Sequence, residues 1–376
     1  MTSDRPPFVP RPAPPETVPT PPLDASAAPM VCELDPGHRA VTFWWRGQAE
    51  EVRVRANKLT DRSDADLLER TGDLWHRTYR VRAGWRCSYH LVVDGQEIID
   101  PLNPRAWQGY SIADTTPPSP WLAGTTAPPF SPTATTTPPF SPSGTTTPPA
   151  WSAGSTPRSS SPAGATSPAT SPATSLAAGE PRHRLTRLPT GWRYDPVRPA
   201  AGTLVLLDGQ DWADDLPVML DNLIAAAEIP PVTAWLVETA EDRVRRLTCD
   251  PAFVDGLPYG GHTVIAGQSL GGLTAVYAAH RHPGRFAAAI SQSGSFWWPN
   301  DPAREWLTGQ VRDAPPPRVH LQAGSLEWAL SGPTERMRAA LGDAATYEEF
   351  EGGHDRYCWL NELPAALIAV YGGAPS

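Results

Sequence analysis

The chain has 376 residues, with 31 Lys and Arg against 40 Asp and Glu, giving a formal charge of -9. That balance argues against a nucleic-acid partner and gives no general attraction to anions, so any anion site has to be local. Four cysteines without CxxC spacing read as free thiols rather than a disulfide frame or a zinc site, and no apolar run approaches a span of about 18 residues.

Of the 46 prolines, 25 lie in residues 1–30 and 112–180. Residues 1–30 read as a disordered leader. It carries no apolar segment before a small-residue cleavage site, so export is not expected and the cytoplasm is the expected location. Residues 31–111 read as a small separate domain with short strands at 41–45, 51–54, 74–81 and 87–93. Val52 and Val54 alternate with Arg53 and Arg55 as in a half-buried strand, and Arg46-Gly47 and Asp94-Gly95 supply turns. An all-β, immunoglobulin-like sandwich is expected. Its Trp44, Trp45, Trp75, Trp85 and Trp107 could form an aromatic platform, although filling a small core is the simpler role for each. Residues 112–180 are dominated by Pro, Ser, Thr, Ala and Gly, and Pro128-Pro129-Phe130-Ser131-Pro132 recurs at 138–142. Such a stretch buries too little apolar surface to offset chain entropy, so a disordered linker is expected.

Residues 181–376 alternate strand and helix. Apolar strands are expected at 203–207, 233–237, 264–268, 286–291, 318–322 and 345–350, with helices at 216–227, 273–280 and 334–341. The alternation implies an open, mostly parallel sheet. One strand runs into Gly267-Gln268-Ser269-Leu270-Gly271, followed at once by helix-forming residues. This is how a nucleophile elbow reads, with Ser269 on a sharp strand-to-helix turn and glycines where the elements pack closely. The expected fold is therefore an α/β-hydrolase domain with a mostly parallel sheet, preceded by the sandwich.

In that fold the order is serine, acid, histidine. His354 follows a glycine pair after the strand at 345–350 and is the candidate general base. Glu327, after the strand at 318–322, is either the triad acid or a solvated acid before a helix. Asp355 is sufficiently explained as a helix N-cap, and a Ser–His pair without a strong carboxylate is the third option. The Leu270 amide is a candidate oxyanion donor, with Gly209 and Gln210 after the strand at 203–207 as the second source. Asp208 reads as a brace for that loop.

These segments resemble the ferric enterobactin (enterochelin) esterases. The resemblance rests on Val41-Thr42-Phe43-Trp44-Trp45-Arg46, Asp73-Leu74-Trp75-His76, Trp85-Arg86-Cys87-Ser88-Tyr89, Asp100-Pro101-Leu102-Asn103-Pro104 and Leu206-Leu207-Asp208-Gly209-Gln210-Asp211-Trp212. It continues through the elbow, Ser291-Gln292-Ser293-Gly294-Ser295-Phe296-Trp297-Trp298-Pro299, and Gly352-Gly353-His354-Asp355 with Cys358-Trp359. It implies hydrolysis of the lactone bonds of a ferric catecholate siderophore, with Ser269 as nucleophile, His354 as base and Arg243 near the acyl oxygen or substrate. Iron would enter as part of the substrate, with no cofactor and no protein-bound metal. A tris-catecholate trianion needs local positive charge, which suits Arg243 and, more weakly, Arg245 and Arg246; a solvated basic patch is the plainer role for any one of them. Trp212, Trp297, Trp298 and Trp359 flank the motifs and are expected in the substrate wall.

Three departures from the family pattern stand out. Only residues 254–262 connect the segment around Phe253 to the elbow, so a layer of helix is expected to be missing. Arg245 and Arg246 stand where the family commonly has an acid, and the linker is unusually long. The alternatives are a general acyl esterase or acyltransferase, and a siderophore-binding protein with a weakened hydrolase half. Nothing in the sequence indicates an oligomeric state.

Overall fold

The computed structural model describes residues 9–10, 12–23, 28–60, 65–117, 119–125, 182–299 and 305–372. The first unit contains β1 (Met30–Asp35), β2 (His38–Arg46), β3 (Val52–Ala56), β4 (Asp66–Leu67), β5 (Glu69–Thr71), β6 (Leu74–Arg82), β7 (Arg86–Val93), β8 (Gln96–Ile98), β9 (Ala106–Trp107) and β10 (Tyr110–Asp114). They form two antiparallel sheets, ordered β1-β2-β6-β5 and β4-β3-β7-β10-β9, with β8 on β7. The alternation read from the sequence holds on β3, where Val52, Val54 and Ala56 are buried and the two arginines between them are not. Between the sheets lie Val41, Phe43, Tyr79, Trp85, Tyr89 and Leu91. The rings of Phe43 and Tyr89 meet edge to face at 4.8 Å, worth about 1 kcal/mol beyond the area they bury. Trp75 and Trp85 lie in this core, so the packing role holds for them, whereas Trp44 is buried on the opposite face of β2 and is not part of that cluster.

The leader is not wholly without structure. Val18 N donates to Thr78 O at 3.1 Å and Arg80 N to Glu16 O at 2.9 Å, with Thr17 bridged to Tyr79. The physical reason lies in β6, which has nine residues while β5 covers only residues 74–76 of its edge. The edge amides beyond β5 need partners, and the leader supplies them. At the other boundary, β10 runs to Asp114, and Leu122 of a 3-10 turn (Pro120–Leu122) packs into the core of the second unit. The linker expectation therefore begins too early, and its remainder at 126–180 lies outside the described residues.

The second unit contains, in chain order, β11 (His183–Leu188), β12 (Gly191–Pro196), β13 (Gly202–Leu207), α1 (Leu216–Ala225), β14 (Val232–Val237), α2 (Arg243–Arg246), α3 (Pro251–Asp255), β15 (His262–Gln268) and α4 (Leu270–Arg281). It continues with β16 (Ala288–Gln292), α5 (Trp306–Asp313), β17 (Val319–Gly324), α6 (Trp328–Leu341), β18 (Ala345–Phe350) and α7 (Arg356–Tyr371). Its eight strands are ordered β11-β12-β14-β13-β15-β16-β17-β18. β13 to β18 pair in parallel, and the β11–β12 hairpin joins β14 antiparallel. This is the α/β-hydrolase architecture. Strands such as β13, buried at every position, have helices on both faces: α1 and α7 on one, α4, α5 and α6 on the other.

The short connection before the elbow is real, since only the five-residue α3 stands there. The sheet is covered all the same, because Val254 and Leu257 of that connection bury their side chains in the core beside Ile265 and Val276. No described helix is long and apolar enough to cross a membrane.

Candidate active site

At the end of β15 the backbone of Ser269 takes φ 58° and ψ -119°, and α4 begins at the next residue. A non-glycine residue held there stores of order 1–3 kcal/mol of strain. The surroundings demand small neighbours: a Cβ on Gly267 would lie 2.5 Å from the Gly271 carbonyl carbon, and one on Gly272 would lie 2.6 Å from Ser291 Oγ. Ser269 N donates to Gln292 O at 3.0 Å, and the first helical bond runs from Leu273 N to Ser269 O. The Leu270 amide thus belongs to the open first turn of α4, where the helix dipole favours negative charge.

His354 sits in the loop between β18 and α7. Its Nδ1 lies 2.6 Å from Glu327 Oε1. Glu327, between β17 and α6, is only 1% exposed, and its other oxygen accepts from Ser293 Oγ and Gly324 N, each at 2.7 Å. A buried carboxylate with three donors is held in one orientation, and it places the proton of His354 on Nδ1, leaving Nε2 as the acceptor. Glu327 is therefore not a solvated acid: it is buried and paired with His354. Trp359 completes the frame, with its ring edge-on to the imidazole at 4.8 Å and its Nε1 donating to Ser293 Oγ at 2.8 Å.

The loop carrying His354 is also gripped by the β-sandwich. Asn57 Nδ2 donates to His354 O at 2.9 Å, and Arg86 N donates to Glu351 O at 3.2 Å. Gly353 lies so close to the Lys58 side chain that any Cβ would collide with it. Asp355 caps α7 through Tyr357 N at 2.9 Å, as the sequence suggested, but also accepts from Ser88 N at 2.6 Å and Ser88 Oγ at 2.8 Å. Burial pushes its carboxyl above the usual range, against the pull of these donors.

A cavity of about 500 Å³ opens over Ser269 and His354. One wall is the loop after β13, through Asp208, Asp211 and Trp212. Gly209 and Gln210 lie in that loop ahead of Asp211, whose amide makes the turn's first internal bond, to Asp208 O. Arg243 reaches the cavity with its Nε and Nη2 on the two oxygens of Asp208, at 2.8 and 2.6 Å. Asp208, also bonded by Thr239 Oγ1, is a brace, now for an arginine as well as a loop. Arg245 pairs instead with Asp242 and Asp250 on the surface, Arg246 turns to Glu238 O, and neither lines the cavity.

Trp212 and Trp359 line the cavity as expected; Trp297 and Trp298 do not. The chain after Ser295 folds back into the helical layer, so Trp297 is buried elsewhere and Trp298 faces a separate apolar pocket with Cys249, Pro299 and Trp306. Of the sandwich tryptophans only Trp107 reaches the cavity, its Nε1 donating to Asp215 Oδ2 at 3.1 Å. Sequence reasoning missed Gln268, Asp211 and Arg356. Arg356 pairs with Asp211 at 2.6 Å, and burial raises the Asp211 pKa. The overlooked signal was position: an arginine opening a 16-residue helix opposes the helix dipole, so helix stability does not explain it. Among the described residues no group of three His, Cys, Asp or Glu is arranged to hold a metal ion.

The chain is similar to known proteins over most of its length. The family model for the enterochelin esterase N-terminal domain matches residues 40–126, and an esterase family model matches 254–370. An iron(III) enterobactin esterase from Escherichia coli O6:H1 strain CFT073 is 28% identical over 400 residues, covering 88% of this chain and 91% of that protein. The chain carries an enterochelin esterase N-terminal domain followed by an esterase domain. Like the relatives it matches over most of its length, it is a carboxylic-ester hydrolase. The iron(III) enterobactin esterase of Dickeya dadantii strain 3937 is 28% identical over 424 residues, covering 89% and 88% of the two chains. The same fold is seen in the ferric enterobactin esterase of Salmonella typhimurium, with a TM-score of 0.67 at 22% identity over 90% of this chain and 95% of that one. The Shigella flexneri enterobactin esterase, crystallised in the presence of enterobactin, gives 0.66 at 24% identity over 91% and 95%. As in these enterochelin esterases, two units share one chain here.

Proposed function

We propose that the protein is a serine esterase that hydrolyses the trilactone ester bonds of ferric enterobactin or a related catecholate siderophore, freeing its iron. The observation that supports this reading is a single cavity in which Ser269 and the Glu327–His354 pair meet arginine and aromatic side chains, in a chain whose named relatives are iron(III) enterobactin esterases. His354 Nε2 takes the Ser269 Oγ proton as the oxygen attacks the ester carbonyl, and Glu327 stabilises the imidazolium formed. The oxyanion is met by the Leu270 amide and by an amide of Gly209 or Gln210. His354 returns the proton to the departing serine hydroxyl, and water releases the acyl group by the same route.

Trp107, Trp212 and Trp359 offer faces and edges to catechol rings. Arg243 keeps its Nη1 clear of Asp208 for an anionic ligand, and Arg356 adds a second guanidinium. Each cut lowers the preorganisation of the chelate, which eases iron removal. Iron here is cargo of the substrate, and the cytoplasm is the compartment we assign. The test is chromatography of ferric and iron-free enterobactin after incubation with wild type and with Ser269→Ala. Linear trimer, dimer or monomer from the wild type alone is expected; products from folded Ser269→Ala would sink the serine mechanism.

A further inference from the structure

Three strands beneath the cavity carry a glutamine near their ends, and the register sets these side by side. Gln268 on β15 faces Gln292 on β16, Gln292 faces Gln322 on β17, and Gln322 faces Glu348 on β18. All three glutamines are buried. Their amides form a chain: Gln268 Nε2 donates to Gln292 Oε1 at 2.9 Å, Gln292 Nε2 to Gln322 Oε1 at 2.9 Å, and Gln322 Nε2 to the Glu348 carboxylate at 3.1 Å.

The chain can run in only one direction. An ionised carboxylate at its far end accepts and does not donate. Two carbonyls of α7 reinforce this, Trp359 O taking Gln292 Nε2 at 3.1 Å and Glu362 O taking Gln322 Nε2 at 3.2 Å. Each nitrogen is pinned by groups that only accept, so each oxygen has to face the preceding amide. At the last member this logic leaves Gln268 with its nitrogen engaged and its Oε1 without a donor among the described residues. Gln268 is 3% exposed, lines the cavity and directly precedes Ser269. That oxygen is open to the cavity, where water serves as its donor; a ligand that fills the cavity displaces the water and has to supply a donor in its place.

We propose that Gln268 is a specificity-determining residue that accepts a hydrogen bond from the amide N–H on the α-carbon of the substrate's acyl half. The inference rests on the reading of the substrate as an N-acylserine ester. In such an ester that nitrogen is two bonds from the carbonyl carbon that Ser269 attacks, and Gln268 is one residue from Ser269. Because the ladder locks its amide, Gln268 cannot turn its NH₂ toward a ligand without breaking the bond to Gln292. Esters lacking an α-amide donor leave Oε1 unpaired, a form of rejection stronger than a missing apolar contact.

The test compares kcat/KM for the methyl ester of N-benzoylserine and for its analogue with CH₂ in place of the N–H, using full-length wild type and Gln268→Met. Wild type should prefer the N–H ester by about 10-fold or more, and the preference should collapse toward unity in the variant. A wild-type ratio near unity would overturn the proposal whether or not the variant folds. So would a variant slowed equally on both esters, which is what a purely structural ladder predicts. Failure of the siderophore reading would show differently, as no products from the trilactone while the N–H preference persists and supports the role of Gln268.

Discussion

Replacing Glu327 by glutamine keeps the shape of the side chain and removes its charge. Three donors converge on the native carboxylate: His354 Nδ1 at 2.6 Å, Ser293 Oγ at 2.7 Å and Gly324 N at 2.7 Å. A glutamine has one oxygen, and the pair of donors from Ser293 and Gly324 will claim it. The new NH₂ then faces His354 Nδ1 and selects the tautomer with its proton on Nε2, which cannot accept the proton of Ser269. Charge adds to the loss. With the imidazolium and carboxylate centres about 4 Å apart at an effective dielectric constant of about 20, their attraction is about 4 kcal/mol, close to a factor of 10³. The tautomer effect for a triad acid changed to its amide in another hydrolase is about 10⁴ in kcat, so a loss of about 10³–10⁴ is expected. The assay is steady-state hydrolysis of a p-nitrophenyl ester and of the trilactone, with thermal melting to show that the variant is folded. A folded Glu327→Gln within tenfold of wild-type kcat would refute the assignment of the acid.

Gly353→Ala should lower activity at least tenfold, because its methyl group collides with Lys58 and pushes the His354 loop outward. Lys58 has φ 60°, where glycine is at ease, so Lys58→Gly should restore much of the loss; no recovery in the double variant would show that the collision is not the cause. Burial holds the Asp355 pKa above its value in the unfolded chain, so at intermediate pH the folded protein keeps a proton that the unfolded chain has released. Stability from this group is therefore highest in acid and falls as pH rises above about 4. Asp355→Asn should flatten that limb in urea titrations, and an unchanged slope would discount the shift.

The parallel strands of the hydrolase unit were readable because fully buried strands are continuous apolar runs: the expectation of 203–207 met Gly202–Leu207, and 345–350 met Ala345–Phe350. The placing of Ser269 at the strand-to-helix turn and the pairing of His354 with Glu327 were readable because chain order in this architecture follows the strands that carry them. The β11–β12 hairpin was not foreseen, since His183–Leu188 has little apolar alternation and is held by pairing to its neighbour. Trp297 and Trp298 show why nearness in sequence to a motif is a poor guide to direction. Two loop residues past Ser295 are enough to swing a side chain from the cavity into the helical layer. The pairing of 16–18 with β6 had no local signal, because the need lay in the edge left open by a short β5. The glutamines each ended an apolar run, a visible pattern, but their alignment depends on strand register.

The grip of the sandwich on the His354 loop makes docking of the two units and catalysis linked equilibria. The cavity takes Trp107 from one unit and Ser269 from the other, so a ligand that fills it binds only the docked arrangement. By reciprocity, each kilocalorie that closes the seam through Asn57, Ser88 and Arg86 returns as affinity, and an occupied cavity aligns its own base.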